Sequence, residues 1–341
     1  MLEQKSVGSN LRRLRTAAAI AAVALTISAC AGSGSTPQAG THPHGSSNAP
    51  SSRPAAHSSA RPSATPKPGP TGPPMLIDSI APLTGSTVGV AMPISIIFSD
   101  PVAASARRGI EEHIKLTTSV PVTGAWHWYD DRRVDFRPKS FWKPGTTVSM
   151  VASFDHVADG NGRYGTHSYT RSFTIGPDLE THVYVARHRT VVTRDGKVLR
   201  SMPSDAGSPQ WPSWDGTMAV VDTSRTVRMT SCSVNISCNK KSPNYYNIVL
   251  PWDVRLTWSG TFIHYSSGDP YPGHSYGSHG CVHLSFANAK WYYDLVKQGD
   301  PVIVTGSPRG KAAGDNGYAG YDLSWSQWLA GSGMKQFTTG T

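Results

Sequence analysis

The 341 residues include only four cysteines, 22 acidic side chains against 32 basic ones, and no apolar run long enough to cross a bilayer. Each shortage excludes something. The longest apolar stretch, Ala17 to Ala29 (AAAIAAVALTISA), is too short for a stable membrane-spanning helix. Preceded by Lys5, Arg12, Arg13 and Arg15, it reads as an export signal over residues 1–29. Residues 31–74 have almost no side chains to bury and are dominated by Ser, Pro, Gly, Ala and Thr. Such a stretch cannot offset its ordering entropy, so a disordered, proline-stiffened tether is expected there. The acidic deficit leaves a net charge of +10, which suits anionic lipids or wall polymers. No segment has the pattern of a nucleic-acid module, and no nucleic-acid partner is expected.

The few cysteines divide into separate tasks. Cys30 follows Ile27-Ser28-Ala29 at the end of the apolar run, which resembles a bacterial lipobox. This predicts a lipid on Cys30 and an extracytoplasmic protein anchored to the cell membrane; the rival is an ordinary signal peptide with Cys30 incidental. Cys232 and Cys238 bracket SVNIS, and an oxidising compartment favours a disulfide between them. So small a ring stabilises by about 2–3 kcal/mol, so its use is local shaping of a loop. Cys281 is then the odd cysteine, and an odd thiol in an exported chain points to reactivity.

From Met75 the sequence turns to short alternating segments cut by Gly, Pro and Asp. Ile94–Val102, Trp126–Phe136 around Asp130-Asp131, Thr147–Ser153 and Tyr169–Ile175 read as strands. Together they predict an immunoglobulin-like β-sandwich over residues 75–176, with no nucleophile–base pair in it. A second β-rich set follows over 177–308, beginning with a hairpin at Arg194-Asp195-Gly196. One segment there reads clearly as a helix, Ser285 to Gln298, with Ser285 as N-cap and Gly299 just past its end. The fold class is therefore mainly β.

Between these elements lies GHSYGSHGCVHLS, residues 273–285, with His264 upstream in TFIHY. Zinc is disfavoured, because the local spacing is not that of common zinc pairs and no acidic residue falls between Asp269 and Asp294. A loop without chemistry does not account for Gly277, Gly280 and Cys281. A cysteine nucleophile needs a base and oxyanion donors. His264 and His279 both qualify as base by residue type, and spacing alone leaves the choice open.

Ser278-His279-Gly280-Cys281, with His264 seventeen residues before the cysteine, resembles the signature of L,D-transpeptidase catalytic domains. Thr193–Gly207, Ser259–His264, Asn288–Val304 and Tyr321–Trp328 are similar to that family too, and Gly124–Val148 is similar to the immunoglobulin-like domain that precedes it in actinobacterial members. The resemblance implies an immunoglobulin-like β-sandwich followed by a β-rich catalytic domain, with residues 309–341 packing on the latter. It implies Cys281 as acyl-forming nucleophile, His264 as general base, and His279 as the residue that holds His264. The N–H groups of Gly280 and Cys281 would face the oxyanion, with Ser278 in the same loop. Tyr246, or failing it Tyr245, would close the pocket from a lid, and Met229 would line the donor site. His283 departs from the family, which often has Asn or Arg there, and puts the donor site in doubt.

The implied activity is peptidoglycan cross-linking of the 3→3 type through a thioester, with stem peptides as donor and acceptor. Carbapenems would acylate Cys281, and neither a metal nor an organic cofactor is called for. The rivals are an L,D-carboxypeptidase, a family branch that attaches wall polymers or proteins, and a non-catalytic wall-binding lipoprotein.

Overall fold

The computed structural model describes residues 69–340. The export signal, Cys30 and the tether as far as residue 68 lie outside the described residues.

The first module is built from two sheets facing one core. In the strand Thr147–Ser153, TVSMVAS, exposed and buried residues alternate without a break, so every second side chain enters the interior. One sheet runs in the order Ile77–Ala81, Ile94–Phe98, Arg133–Pro138, Thr123–Trp128, Phe337–Thr338. The other runs Thr87–Val88, Ser168–Ile175, Thr147–Ser153, Ile114–Thr118. The hairpin expected at Asp130-Asp131 is present: Trp128 pairs with Val134, and Asp130 Oδ1 accepts the N–H groups of Arg132 and Arg133. Trp126, Phe136 and Trp142 fill the space between the sheets.

The C-terminal extension behaves differently from expectation. It packs on residues 177–308 only at first, where Tyr318 bridges to Ala219 and the Asp322 carboxylate accepts from the Thr217 N–H. The chain then returns to the first module. Helix Trp325–Ala330, capped by a reciprocal Ser324–Gln327 box, buries Trp328, whose indole donates to the Ala125 carbonyl. Phe337–Thr338 finishes as an edge strand beside Thr123–Trp128. A large indole and a buried carboxylate decide this route. The Arg137 guanidinium lies 4.5 Å from the Trp328 ring, and buried Glu111 accepts from the Gly333 and Met334 N–H groups. The tail is a strap across both modules.

The second module has two larger sheets and a two-stranded one that pairs Ala206–Gly207 with Tyr276–Ser278. The first runs Lys197–Pro203, Arg189–Arg194, Leu179–Tyr184, Pro301–Thr305, Gly216–Ala219. Its expected turn has Asp195 at φ 50° and Gly196 at φ 74°, both left-handed, as a tight hairpin between right-twisted strands requires. The second sheet runs Asp222–Thr230, Asn247–Arg255, Phe262–Tyr265, Val282–Leu284. Its first two strands form a long hairpin whose tip, residues 231–246, is the lid.

Helix Phe286–Leu295 packs against this second sheet, with Phe286 against Trp252 and Tyr265. It is shorter than the expected Ser285–Gln298. Val296 turns extended so that its side chain reaches the core, and Asp300 then caps the Lys297 N–H. Ser285 holds the N-cap position but makes no side-chain capping bond. Because Ile263 is buried in the core and Tyr265 packs on this helix, alternation turns Phe262 and His264 to the opposite face. That face is the site.

Candidate active site

Strand register assembles the site. Phe262–Tyr265 and Val282–Leu284 run parallel, with Ile263 opposite Val282 and His264 opposite His283. One step earlier, Cys281 falls level with Phe262. Val282 enters the core, so Cys281 and His283 share a face about 7 Å apart along the strand. His264 is diagonal to the sulfur. The thiol and two imidazoles thus form a triangle on the wall of a cavity of about 830 Å³.

The cysteine loop is held by Ser278. Its buried hydroxyl accepts from the Gly280 N–H at 3.0 Å and donates to the Cys281 carbonyl at 2.5 Å. This corrects the expectation for Gly280: its N–H is already used inside the loop. The Cys281 N–H has no backbone partner among the described residues. Gly280 sits at φ 115°, which a side chain would strain. Its contribution is therefore loop geometry rather than a donor.

His264 is held by a group that sequence reasoning missed. Its Nδ1 lies 2.7 Å from the carbonyl of Tyr265. A carbonyl only accepts, so the proton is on Nδ1 and the lone pair of Nε2 is free. His279, expected to hold His264, makes no hydrogen bond to it; its ring lies 5.2 Å from Tyr246 and 6.0 Å from Trp211. The correction is physical: a main-chain carbonyl one residue on cannot swing away as a side chain can.

Burial, joined by the neighbouring His283, pushes His264 down to about 3. Burial also pushes the Cys281 thiol up to about 12. The resting pair is therefore a thiol beside a neutral imidazole, not a thiolate beside an imidazolium. The thiol rests 3.6 Å from the Gly260 carbonyl.

The lid closes over this group. The disulfide between Cys232 and Cys238 is formed, and Ser231 ties the base of its loop by hydrogen bonds with Tyr246 and Ser237. Val234 in the ring lies over Gly260, where a Cβ would meet it at 2.6 Å. Tyr246 lines the cavity whereas Tyr245 does not, and Met229 lines it from the hairpin. Burial, with the Cys281 sulfur nearby, pushes the Tyr246 phenol up to about 12, so it stays a neutral donor.

Two carboxylates also escaped sequence reading. Asp269, in the tight turn after the His264 strand, lies 3.0 Å from His283 Nδ1. The partner is fourteen residues away, and no local pattern marks it. Asp253 is completely buried, with neither oxygen in a hydrogen bond of normal geometry among the described residues. Arg255 pairs with Phe262 and Val254 with Ile263. One further step of that register sets Asp253 beside His264.

Burial, only partly offset by the Val227 N–H and Arg255, pushes the Asp253 carboxyl up to about 7. A carboxyl raised in the folded state holds a proton that the unfolded chain has released, so stability falls as pH rises from its ordinary value through 7. The Asp253→Asn chain is expected to melt about 3–5 °C above the parent near pH 8 and with it near pH 4. Equal shifts at both pH values in a thermal melt defeat this account.

The chain matches two family models: a bacterial Ig domain over residues 69–158 and an L,D-transpeptidase catalytic domain over residues 180–304. It is 35% identical to L,D-transpeptidase 2 of Mycobacterium tuberculosis across 74% of this chain, although the match covers 61% of that relative, less than two thirds. It is 34% identical to L,D-transpeptidase 1 of the same species across 67% of this chain and 85% of the relative. Among solved structures it is similar to LD transpeptidase LdtMt1 in complex with imipenem, at 33% identity and TM-score 0.58, covering 69% of this chain and all of that one. An L,D-transpeptidase from Mycobacterium smegmatis superposes with TM-score 0.55 at 30% identity, covering 68% of this chain and all of that one.

Proposed function

The chain belongs to the L,D-transpeptidase family, and on that footing we propose that it cross-links peptidoglycan stem peptides outside the cytoplasm through a thioester on Cys281. The observation that carries the reading is a part-exposed thiol on the same cavity face as a neutral, carbonyl-anchored imidazole. Residues 75–176 serve as spacer, 177–308 as catalytic domain, and Cys30 as the site of a membrane-anchoring lipid.

In the first half-reaction Cys281 Sγ attacks the carbonyl of the third residue of a donor tetrapeptide stem. His264 Nε2 takes the thiol proton as the carbon–sulfur bond forms, and the oxygen gains charge at the Cys281 N–H. The same imidazole returns the proton to the departing amine of D-Ala. A side-chain amine of a second stem then displaces the sulfur to give a 3→3 cross-link. Neutral resting groups suit this sequence, because no charge is buried until the substrate carbonyl is in place. A relative has been captured with imipenem; here a carbapenem is taken to acylate Cys281 in the same way.

The test is to incubate the full chain with a donor stem tetrapeptide and an amine-bearing acceptor stem, and to identify products by mass spectrometry. Release of D-Ala with appearance of the joined product is expected. Tripeptide alone identifies an L,D-carboxypeptidase, and an unchanged donor sinks the enzymatic reading.

A further inference from the structure

We propose that His283 and Asp269 form the acceptor-amine site, with Asp269 binding the incoming ammonium and His283 taking the proton of the attacking nitrogen. The proposal rests on the transpeptidase reading above and concerns only its second half.

Charge on the cavity wall comes first. Asp269 is the sole carboxylate among the described residues that line the cavity, whereas Arg228, Arg255 and Arg309 all line it. A cationic amine entering this cavity is repelled by Arg228 and Arg309, less by Arg255, which pairs with Asp222 at 3.3 Å, and is attracted at one place. Asp269 uses Oδ2 for His283, which leaves Oδ1 for a ligand, and its side chain is 16% exposed. The ring of Tyr271, also lining the cavity and 80% exposed, adds an aromatic face for a cation. Met229, Val234 and Tyr246 line the lid side together with Arg228, so the only acidic part of the lining, among the described residues, is at Asp269.

The second part is the imidazole. A carboxylate only accepts, so Asp269 holds a His283 proton on Nδ1, and in the neutral ring the lone pair is then on Nε2. Asp269 is thus a positioning residue as well as a binding one. The His283 ring lies 5.0 Å from that of His264, edge to face, and on the same face as Cys281 two residues before it. Each imidazole is locked by an acceptor on its own Nδ1, Tyr265 O for His264 and Asp269 for His283. The two imidazoles, each held through its own Nδ1, line the cavity wall that also carries the sulfur.

The step balances without an outside reactant. The bound ammonium first releases one proton to solvent and becomes an amine. Its nitrogen bonds to the thioester carbon, the carbon–sulfur bond breaks, and His283 Nε2 takes one N–H proton. His283 passes that proton to the departing sulfur, so both imidazoles end neutral and Cys281 ends as a thiol. His264 is then reserved for the first half-reaction.

The test separates the halves in full-length wild type, His283→Asn and Asp269→Asn. Acylation by imipenem is followed by intact mass, and transfer from a donor stem to the acceptor amine by product yield. In both variants transfer is expected to fall about a hundredfold more than acylation does, with stem thioester accumulating. Asp269→Asn also raises the acceptor concentration needed for half-maximal transfer. Transfer that is unchanged, or that falls only in step with acylation, overturns the assignment. A wild-type chain that forms no adduct overturns the transpeptidase reading itself, and this proposal with it. The acylation arm doubles as the folding control, and Asp269, outside the ladder, tests the same site should the buried His283 tolerate no change.

Discussion

Incubated with imipenem, the full chain is expected to gain the mass of one inhibitor molecule, and the Cys281→Ala chain to gain none. Cys281 is the one free thiol among the described residues, and it lines the cavity. Its loop is fixed by the Ser278 clasp and by the left-handed backbone at Gly280, so the half-buried cysteine faces the cavity rather than the core. Removing Sγ leaves no atom to form the acyl bond, so the loss is complete rather than graded. Its fold should persist, since the clasp uses only the main chain of residue 281. An adduct that survives in Cys281→Ala would sit on Cys30 or elsewhere and refute the nucleophile. A companion measurement follows from the raised thiol. With the thiol pushed up to about 12, alkylation by iodoacetamide near neutral pH is expected to be far slower than for an ordinary exposed cysteine.

The second large effect belongs to His264. His264→Gln is expected to slow acylation about a hundred- to ten-thousand-fold, the range for loss of a positioned base. The pH dependence distinguishes this base from an ordinary histidine. Since His264 is held down at about 3, it remains an unprotonated acceptor through the acid side of neutrality. The wild-type acylation rate is therefore expected to stay flat from about pH 8 to about pH 5, where an unperturbed imidazole would already be mostly protonated. A tenfold fall per pH unit beginning near 6.5 would show that His264 titrates normally and that its burial is relieved. The stability sign runs the other way from catalysis. Below its ordinary value the unfolded chain takes a proton that folded His264 refuses, so His264 lowers stability progressively between 6.5 and 3.

Part of this site can be read without a structure. Cys281 stands out as the odd thiol after a glycine, whereas residue type and spacing leave the base open between His264 and His279, and only the family resemblance selects His264. The β-rich class shows in the period-two alternation of segments such as Thr147–Ser153, and the Asp195-Gly196 turn shows in its dipeptide. What could not be read has a common cause. The Tyr265 carbonyl that orients His264 is main chain, present at every residue and marked by none. The Gly280 N–H is consumed by a hydroxyl two residues away, a matter of loop conformation. Asp269 reaches His283 across a turn, and Asp253 reaches the site across a sheet, by register alone.

The tail shows the same division on a larger scale. Tyr321–Trp328 carries a family likeness but no helix reading in the sequence, and the surface that receives Trp328 is assembled from strands two hundred residues earlier. Local residue order thus determined which side chains carry chemistry and which segments are strands, because propensity and alternation act over a few residues. Tertiary structure alone decided which groups meet. Two strands running parallel place His264 against His283, and one hairpin folding over places Tyr246 above Cys281. Burial, which only the assembled fold creates, then sets the protons on both members of the pair.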